Sequence, residues 1–312
     1  MQIVLRQYAG LGNQLFRYAA LRYYAKRYGA EMSISVDPAR LAHSHGFPRP
    51  FLLSHYSIKA TVRERSLGDR FFLADKALMK TVASLAKRAL RVQVFNQLES
   101  SSGPSLSDLP LGQHIKTLYL VGRWQTSIIA EEVAEELRCE LTLKDPAKGK
   151  NLELLRQISQ SRNPVSLHVR RGDCSVAAPD RVELPVEYYL NAISTMSERL
   201  DDPTFFVFSD DFPWVKKSFP QNIAIVCVEH NDDFSAHEDM RLMASCHHHI
   251  IANSTFSWWG AWLNPRTDKI VVAPRQWYHS EDPHDTDLLP KKWILLDVPV
   301  AADRSYVEAI VV

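Results

Sequence analysis

The sequence predicts an α/β protein in which parallel strands are covered by helices. From residue 163 onward, short apolar runs alternate with stretches of helical length, an order typical of doubly wound domains. The runs themselves, such as FFVF at 205–208, lack polar alternation, which favours parallel strands that are buried on both faces. Because 312 residues are many for one core, we expect two such domains, residues 1–155 and residues 156–312.

The predicted elements keep this alternation along the chain. Gly29 is expected to end the first helix. In the first half we predict strands at 2–6, 30–36 and 117–122 and helices at 13–28, 75–92 and 128–138. In the second half we predict strands at 165–169, 204–208, 224–228, 249–252 and 270–273 and helices at 186–200, 213–219, 238–246 and 255–263.

The low net charge argues against a partner that is attracted by the overall charge of the protein. The formal net charge is +1, and 46% of the residues are hydrophobic. Nothing therefore indicates nucleic acid as a partner, and an anionic ligand would have to be held by a local cluster of basic groups.

Cysteine usage and the N-terminus predict a cytoplasmic protein. Cys139, Cys174, Cys227 and Cys246 stand singly, as is typical of reduced, intracellular chains. The start, MQIVLRQYAG, lacks the pattern of a signal peptide, and no run approaches the roughly 18 apolar residues that span a bilayer. The basic residues of the 75–92 helix form either a solvated face or a face that touches a membrane or a lipid-linked substrate.

The motif HVRRGD follows the strand predicted at 165–169. His168 and Arg170 share one side of that strand, and Arg171 and Asp173 fall at its carboxyl end. Guanidinium groups match phosphate oxygens in a bidentate way, so the cluster predicts a pocket for the diphosphate of a nucleotide-sugar. In the alternative, Asp173 pairs with an arginine and the cluster braces the two domains.

The motif FSDD follows the next strand and allows three interpretations. Asp210 and Asp211 could bind a divalent metal, or one of them could accept the N–H groups of a guanine edge. Alternatively, Ser209 or one of the acids caps the following helix, which we expect for at least one of the three. The run His247–His249 has no acid at a suitable spacing, so we expect these histidines to be structural or at the surface, and we predict no metal site.

The segment NSTFSWWGAWL places hydroxyl groups at the start of a helix. Ser254, Thr255 and Ser257 lie where backbone N–H groups and the helix dipole favour an anion. The tryptophans of this segment are expected to pack in a core.

The segment GLGNQLFRYA near the N-terminus predicts one wall of a cleft. Gly10 and Gly12 allow the backbone to approach a ligand, and Asn13 and Gln14 carry amides at the helix start. The segment departs from the dinucleotide pattern GxGxxG because Leu15 stands at the third glycine position.

Together, GLGNQLFRYA, HVRRGD, FSDD and NSTFSWWGAWL resemble the motif set of the α-1,2-fucosyltransferases, glycosyltransferase family 11. The resemblance runs from near the N-terminus to about Trp293, and GRWQTSIIA echoes a further family pattern less closely. It implies a GT-B fold, with two facing Rossmann-like domains and the active site between them. It also implies metal-independent, inverting transfer of L-fucose from GDP-fucose to the 2-hydroxyl of a galactose-terminated glycan acceptor, as in surface polysaccharide synthesis, with no cofactor.

The resemblance also implies roles for individual residues. Arg170 would contact the β-phosphate with support from Arg171, and an acid of FSDD would contact guanine beside His168. Asn13 and Gln14 would border the fucose or the acceptor. The remaining donor-binding residues would be Ser254, Thr255, Phe256 and Ser257.

The general base is open at this point. Asp173 is the first choice, with Asp37 and Glu183 as alternatives, and a dissociative reaction would need no strong base. Two other functions also remain: a metal-dependent transferase that uses Asp210 and Asp211, and a non-catalytic protein that binds a glycan or a nucleotide on the same fold.

Overall fold

The computed structural model describes residues 1–37, 49–73, 86–97, 109, 111–171, 181–279 and 287–299. The chain divides into two compact units, one of residues 1–146 with 282–290 and one of residues 147–281 with 291–312. The division lies nine residues before the predicted one at 155/156. The reason is that 149–160 forms a helix that packs against a helix of the second unit, instead of a polar hinge.

The first unit contains a five-stranded, fully parallel sheet. Its elements are β1 (Gln2–Gln7), α1 (Leu11–Tyr28), β2 (Glu31–Val36), β3 (Thr61–Glu64), α2 (Leu67–Phe72), β4 (Val92–Asn96), β5 (Thr117–Val121), α3 (Ser127–Glu132) and α4 (Ala134–Glu140). The strand order is β3-β2-β1-β5-β4, so the order reverses beside β1 and β5. The predicted stop of α1 is confirmed, because Gly29 takes the left-handed conformation with φ 58°.

Residues 287–290, near the C-terminus, belong to this first unit. The carbonyl of Asp287 accepts hydrogen bonds from the Ser127 backbone N–H at 2.8 Å and from the Ser127 hydroxyl at 2.7 Å. Leu288 is buried. The start of α3 is therefore capped by a segment that lies 160 residues further along the chain.

The second unit contains a six-stranded, fully parallel sheet. Its elements are α5 (Gly149–Gln160), β6 (Asn163–Val169), α6 (Val186–Ser197), β7 (Pro203–Ser209), α7 (Phe212–Ser218), β8 (Ile225–Cys227), α8 (Ala236–Ser245), β9 (His248–Ile250), α9 (Thr255–Leu263), β10 (Val271–Pro274) and β11 (Ile294–Leu296). The order β11-β10-β9-β6-β7-β8 is that of a Rossmann domain, with the topological switch point between β6 and β9.

Both faces of this second sheet are buried, as the unbroken apolar runs predict. Val165, Leu167 and Val169 point into one core cluster, and Phe206 and Phe208 of β7 point into another on the opposite face. The sheet is covered on both sides, which leaves the ends of its strands as the place for a site.

Several predicted elements differ from the structure. The helix expected at 128–138 is two helices, α3 and α4, which meet at Val133. Of the helix expected at 75–92, residues 86–90 are helical and Val92 already belongs to β4, whereas 74–85 lies outside the described residues. No described helix is long and apolar enough to span a membrane.

The last of the three consecutive histidines is structural, which is one of the two predicted outcomes. His249 is fully buried: its Nε2 accepts from the Asn264 amide at 2.8 Å, and its Nδ1 lies 2.8 Å from the Ser166 hydroxyl. The two carbonyls beside Asn264 Nδ2 identify it as the amide nitrogen, which cannot accept a hydrogen bond. The ring nitrogen that faces it is therefore the unprotonated one, and the proton of the neutral ring sits on Nδ1. Desolvation lowers the pKa of His249 well below its usual 6.5.

This histidine predicts that the protein is less stable in mild acid. Because the folded-state pKa is depressed, the unfolded chain binds more protons below pH 6.5, and stability is lost as the pH falls through that value. We expect the free energy of unfolding to fall by up to about 1.4 kcal/mol per pH unit below that point. Urea unfolding at pH 7.5 and 5.5 measures the slope, and H249Q should flatten it. An identical slope in that variant would contradict the assignment.

Candidate active site

The polar side chains of the candidate site follow neighbouring strands of the second sheet. Arg170 and Arg171 come directly after β6, Asp210 and Asp211 come after β7, and Ser254 follows β9. Since all these strands are parallel, the three segments lie at one edge, beside the switch point where Rossmann domains bind ligands. The structure therefore brings together most of the donor-binding residues that the sequence predicts.

Asp210 joins the ends of β6 and β7. One of its carboxylate oxygens accepts from the Arg171 backbone N–H at 2.8 Å, and the other lies 3.2 Å from the Nε of Arg170. The Arg170 side chain is 25% exposed, so its guanidinium group is held in place and still reaches solvent.

Arg171 is held from three sides. Its Nη2 lies 2.9 Å from Glu183, its Nε lies 3.8 Å from Asp211, and its guanidinium group sits 4.3 Å from the ring centroid of Trp214. These contacts keep the second arginine against α7.

The predicted capping role belongs to Asp211. Its carboxylate accepts from the Trp214 backbone N–H at 3.0 Å, and its own N–H donates to the Ser209 hydroxyl at 2.9 Å. Both carboxylates that were weighed as metal ligands thus face guanidinium groups, whose positive charge disfavours a cation there. Within the described residues, no group of three metal-binding side chains is assembled.

In the described part of the chain, the carboxylates around the arginine pair outnumber its positive charges. Two guanidinium groups face three carboxylates, those of Glu183, Asp210 and Asp211. The sequence left open whether Asp173 pairs with an arginine, and Asp173 lies outside the described residues. A bound diphosphate would therefore compete with carboxylates for these arginines.

His168 lies beneath the same edge. It is 4% exposed, and its ring centroid is 5.7 Å from that of Phe256 in α9. Ser254 caps α9 by accepting from the Phe256 backbone N–H at 3.4 Å. Thr255, in the first turn, is almost fully buried.

Ser257 requires a correction to the predicted donor contacts. Its hydroxyl is 2% exposed and lies 3.3 Å from the Ser254 carbonyl and 3.5 Å from the Ala252 carbonyl, where it donates within the chain. It holds the turn into α9 and does not face a ligand. The tryptophans of α9 form a packed cluster with Trp293, as predicted.

Gln14 in the first unit also has a role other than the predicted one. Its side chain is fully buried; its amide donates to the carbonyls of Ala9 and Pro50 and accepts from the Leu52 N–H. Gln14 therefore anchors two loops instead of bordering a sugar. Asn13 is only partly buried and pairs with Gln125, whose Nε2 donates to its Oδ1 at 2.6 Å.

Comparison with known proteins identifies the family of the chain that carries this site. The model of "Glycosyl transferase family 11" matches residues 94–297, which is more than half of the chain. The chain belongs to glycosyltransferase family 11. The resemblance that the sequence motifs indicate is thereby confirmed at the level of the family, and the chain is a glycosyltransferase.

Two relatives of the chain have names that specify different transferred sugars. The alpha-1,2-colitosyltransferase of Escherichia coli is 31% identical over 310 residues, 95% of this chain and 99% of that protein. Galactoside alpha-(1,2)-fucosyltransferase 1 of Saimiri sciureus is 28% identical over 139 residues, 41% of this chain and 38% of that protein. The chain thus spans well under half of the second relative.

A solved structure bears out the predicted fold class. NodZ alpha-1,6-fucosyltransferase soaked with GDP-fucose superimposes with a TM-score of 0.51 at 17% identity, covering 87% of this chain and 94% of that chain. The fold of this family 11 chain is the GT-B type, with two Rossmann-like units.

Sequence reasoning missed two residues of the family 11 chain that the structure brings into polar clusters. Trp214 lies under Arg171, and Gln125 lies against Asn13. Neither contact has a local signal, because each joins residues more than 40 positions apart in the chain.

Proposed function

We propose that this chain transfers L-fucose from GDP-fucose to the 2-hydroxyl of a terminal β-galactoside, with inversion at the anomeric carbon. The membership of this chain in family 11 carries the proposal. Its motifs also resemble those of the α-1,2-fucosyltransferases, and one such enzyme is among its relatives. The partners would be a nucleotide-sugar donor and a glycan acceptor, in the cytoplasm or at the inner face of the membrane on a lipid-linked acceptor of surface polysaccharide synthesis.

Arg170 is the proposed counter-charge for the departing GDP. Glycosyl transfer passes through an oxocarbenium-like state while negative charge grows on the leaving diphosphate. A guanidinium group that Asp210 already orients needs little reorganisation to accept that charge, and such groups contribute about 3–4 kcal/mol each to lowering the barrier. The positive end of α9, at Ser254–Phe256, supports the same diphosphate.

Asp210 and Asp211, at the end of β7, would have different roles. Asp210 orients Arg170 and lies on the same edge as His168, so it is the acid that we propose for guanine recognition. Asp211 is engaged as the cap of α7 and as a partner of Arg171.

Asp173 remains the proposed base for the acceptor hydroxyl. Its two alternatives are engaged with arginines: Glu183 with Arg171 at 2.9 Å, and Asp37 with Arg65 at 2.9 Å. A strongly dissociative reaction would lower the demand on any base, because the acceptor proton then leaves late.

A second candidate donor is favoured by one observation. The colitosyltransferase is similar along essentially its whole length, whereas the fucosyltransferase matches only in part. Colitose is L-fucose without the 3-hydroxyl, so the two donors differ by one hydrogen-bonding group. The same diphosphate site would serve GDP-colitose.

Parallel assays with the two donors test the proposed function. The purified chain is incubated with GDP-fucose or GDP-colitose and methyl β-D-galactopyranoside, and the product linkage is determined by NMR. We expect a 1,2-linked fucoside in higher yield than the colitoside. A higher kcat/KM for GDP-colitose would transfer the proposal to the second donor. GDP binding without turnover on either donor would favour the non-catalytic alternative.

We further expect transfer to be independent of divalent metal. The reason is that Arg170 supplies the positive charge that a cation would otherwise provide. Initial rates are compared before and after dialysis against EDTA, and we expect them to agree. A loss of activity that Mg²⁺ or Mn²⁺ restores would instead favour the metal-dependent transferase.

A further inference from the structure

The segment after β5 in the first unit has an unusual backbone. Trp124 has φ 58° and Gly122 has φ 147°, so two of three consecutive residues take conformations that L side chains rarely adopt. Such strain persists only where the surroundings impose it, and it is concentrated at ligand sites. Trp124 is fixed by packing against Tyr24 of α1 and Phe95 of β4.

Gln125, the next residue, carries a buried polar atom that lacks a partner. The residue is 7% exposed, and its Nε2 is used by Asn13. Its Oε1 has no hydrogen-bond partner among the described residues. Buried carbonyl oxygens in native proteins nearly always have a partner, so this oxygen pairs with a group that the described residues do not supply, either an ordered water or a ligand.

The position of Gln125 is also that of a ligand site. β1 and β5 are neighbours where the strand order of the first sheet reverses, and Gln125 and the start of α1 both follow their carboxyl ends. The N-cap of α1 is Gly10, which has no side chain to cap the first turn, and the N–H groups of that turn lie at the same edge of the sheet as the unpartnered oxygen.

The loops that carry these groups are held rigidly from below. Arg17 of α1 is fully buried and donates to the carbonyls of Tyr8, after β1, and Gly122, after β5. Its guanidinium group stacks on the Tyr8 ring at 3.5 Å. The site is therefore preformed.

The chemistry of the unpartnered atom identifies the kind of group that it binds. A carboxamide oxygen requires a donor, which excludes a phosphate or carboxylate oxygen. An ammonium group is disfavoured by the buried Arg17 charge and by the positive end of α1. A hydroxyl group both donates to the oxygen and accepts from the N–H groups.

We infer that Gln125, together with Asn13 and the first turn of α1, binds a sugar hydroxyl group. The inference rests on the proposed function for its substrates, since both the donor fucose and the acceptor galactoside carry such hydroxyls.

The substitution Q125M tests this inference because it keeps the shape and removes the amide. We expect about a tenfold loss of affinity for the sugar that donates the hydroxyl. The variant loses the unpaired buried oxygen but also the hydrogen bond from Nε2 to Asn13, so the free energy of unfolding should change little. The matched control is Q93M, whose amide oxygen accepts from Gly112 N–H at 2.9 Å and should leave sugar binding unchanged.

The readouts are the binding of methyl β-D-galactopyranoside by calorimetry, KM for GDP-fucose, and Kd for GDP. Weaker galactoside binding supports the inference with the acceptor as source; a raised KM for GDP-fucose at unchanged Kd for GDP supports it with the donor as source. Unchanged sugar affinity in Q125M would overturn the inference, because the oxygen then pairs with an ordered water or has a structural role. Wild-type protein that binds neither sugar would overturn it too. Galactoside binding that Q125M weakens, without any fucose transfer, would refute the proposed function alone.

Discussion

Replacement of Arg170 by alanine is expected to lower kcat/KM by about 10²–10³-fold. Arg170 lies at the carboxyl end of β6, held by Asp210 at 3.2 Å, where the leaving diphosphate would develop its charge. The variant also loses ground-state contacts, so the Kd for GDP should rise. R170K should recover little, since an ammonium group does not reproduce the bidentate geometry of a guanidinium group.

Arg162 provides the matched control for this experiment. It lies just before β6, at the opposite end of that strand, in an exposed ion pair with Asp201. R162A should retain wild-type turnover and GDP affinity. If R170A turned over at the wild-type rate, Arg170 would not be the counter-charge.

Replacement of Asp69 by alanine is expected to reduce the free energy of unfolding by about 3–5 kcal/mol. Asp69 is completely buried, and its carboxylate accepts from Arg63, Ser35, Tyr119 and the Ser66 backbone. Alanine would remove this acceptor from all of these donors. Denaturant unfolding measures the loss, and the control D201A, at a largely exposed ion pair, should be close to wild type.

The same carboxylate makes stability depend on acid. Burial alone would raise the pKa of Asp69, but hydrogen bonds from Arg63, Ser66, Ser35 and Tyr119 outweigh it and lower the pKa well below 3.8. A depressed carboxyl pKa stabilises the fold above the unfolded-state value, and that contribution is lost as the pH falls below it. An acid unfolding profile that D69A leaves unchanged would contradict this role.

The regular part of the fold could be predicted because its causes are local. Unbroken apolar runs specify β6 and β7, Gly29 ends α1, and Asp211 caps α7. The strand β3 (TVRE) was missed because it is a mostly exposed edge strand and carries no apolar run.

The helix α5 was missed for a similar reason. Among its twelve residues only Ile158 is buried, so the segment looks like a polar hinge, and the predicted domain boundary fell inside it. Its stability comes from packing against α8, a contact that no local pattern contains.

The sequence predicted which residues form the candidate site, but not which of them contact each other. The arginines and acids were identified from their places at strand ends. Their partners depend on which strands are neighbours: Asp210 meets Arg171 because β7 lies beside β6. Gln14 and Ser257 were assigned to ligands because sequence does not reveal that loop carbonyls already use their side chains.

The return of residues 287–290 to the first unit has a consequence for biosynthesis. Until those residues are synthesised, the first turn of α3 lacks the Asp287 carbonyl, and Leu288 does not yet fill its buried position. At about 5–20 residues per second, residue 290 is added roughly 7–30 s after residue 146. The N-terminal unit therefore stays incomplete while the C-terminal unit is synthesised. In a nascent chain that stalls during this interval, the part of the first unit that residues 287–290 cover is accessible to chaperones and proteases.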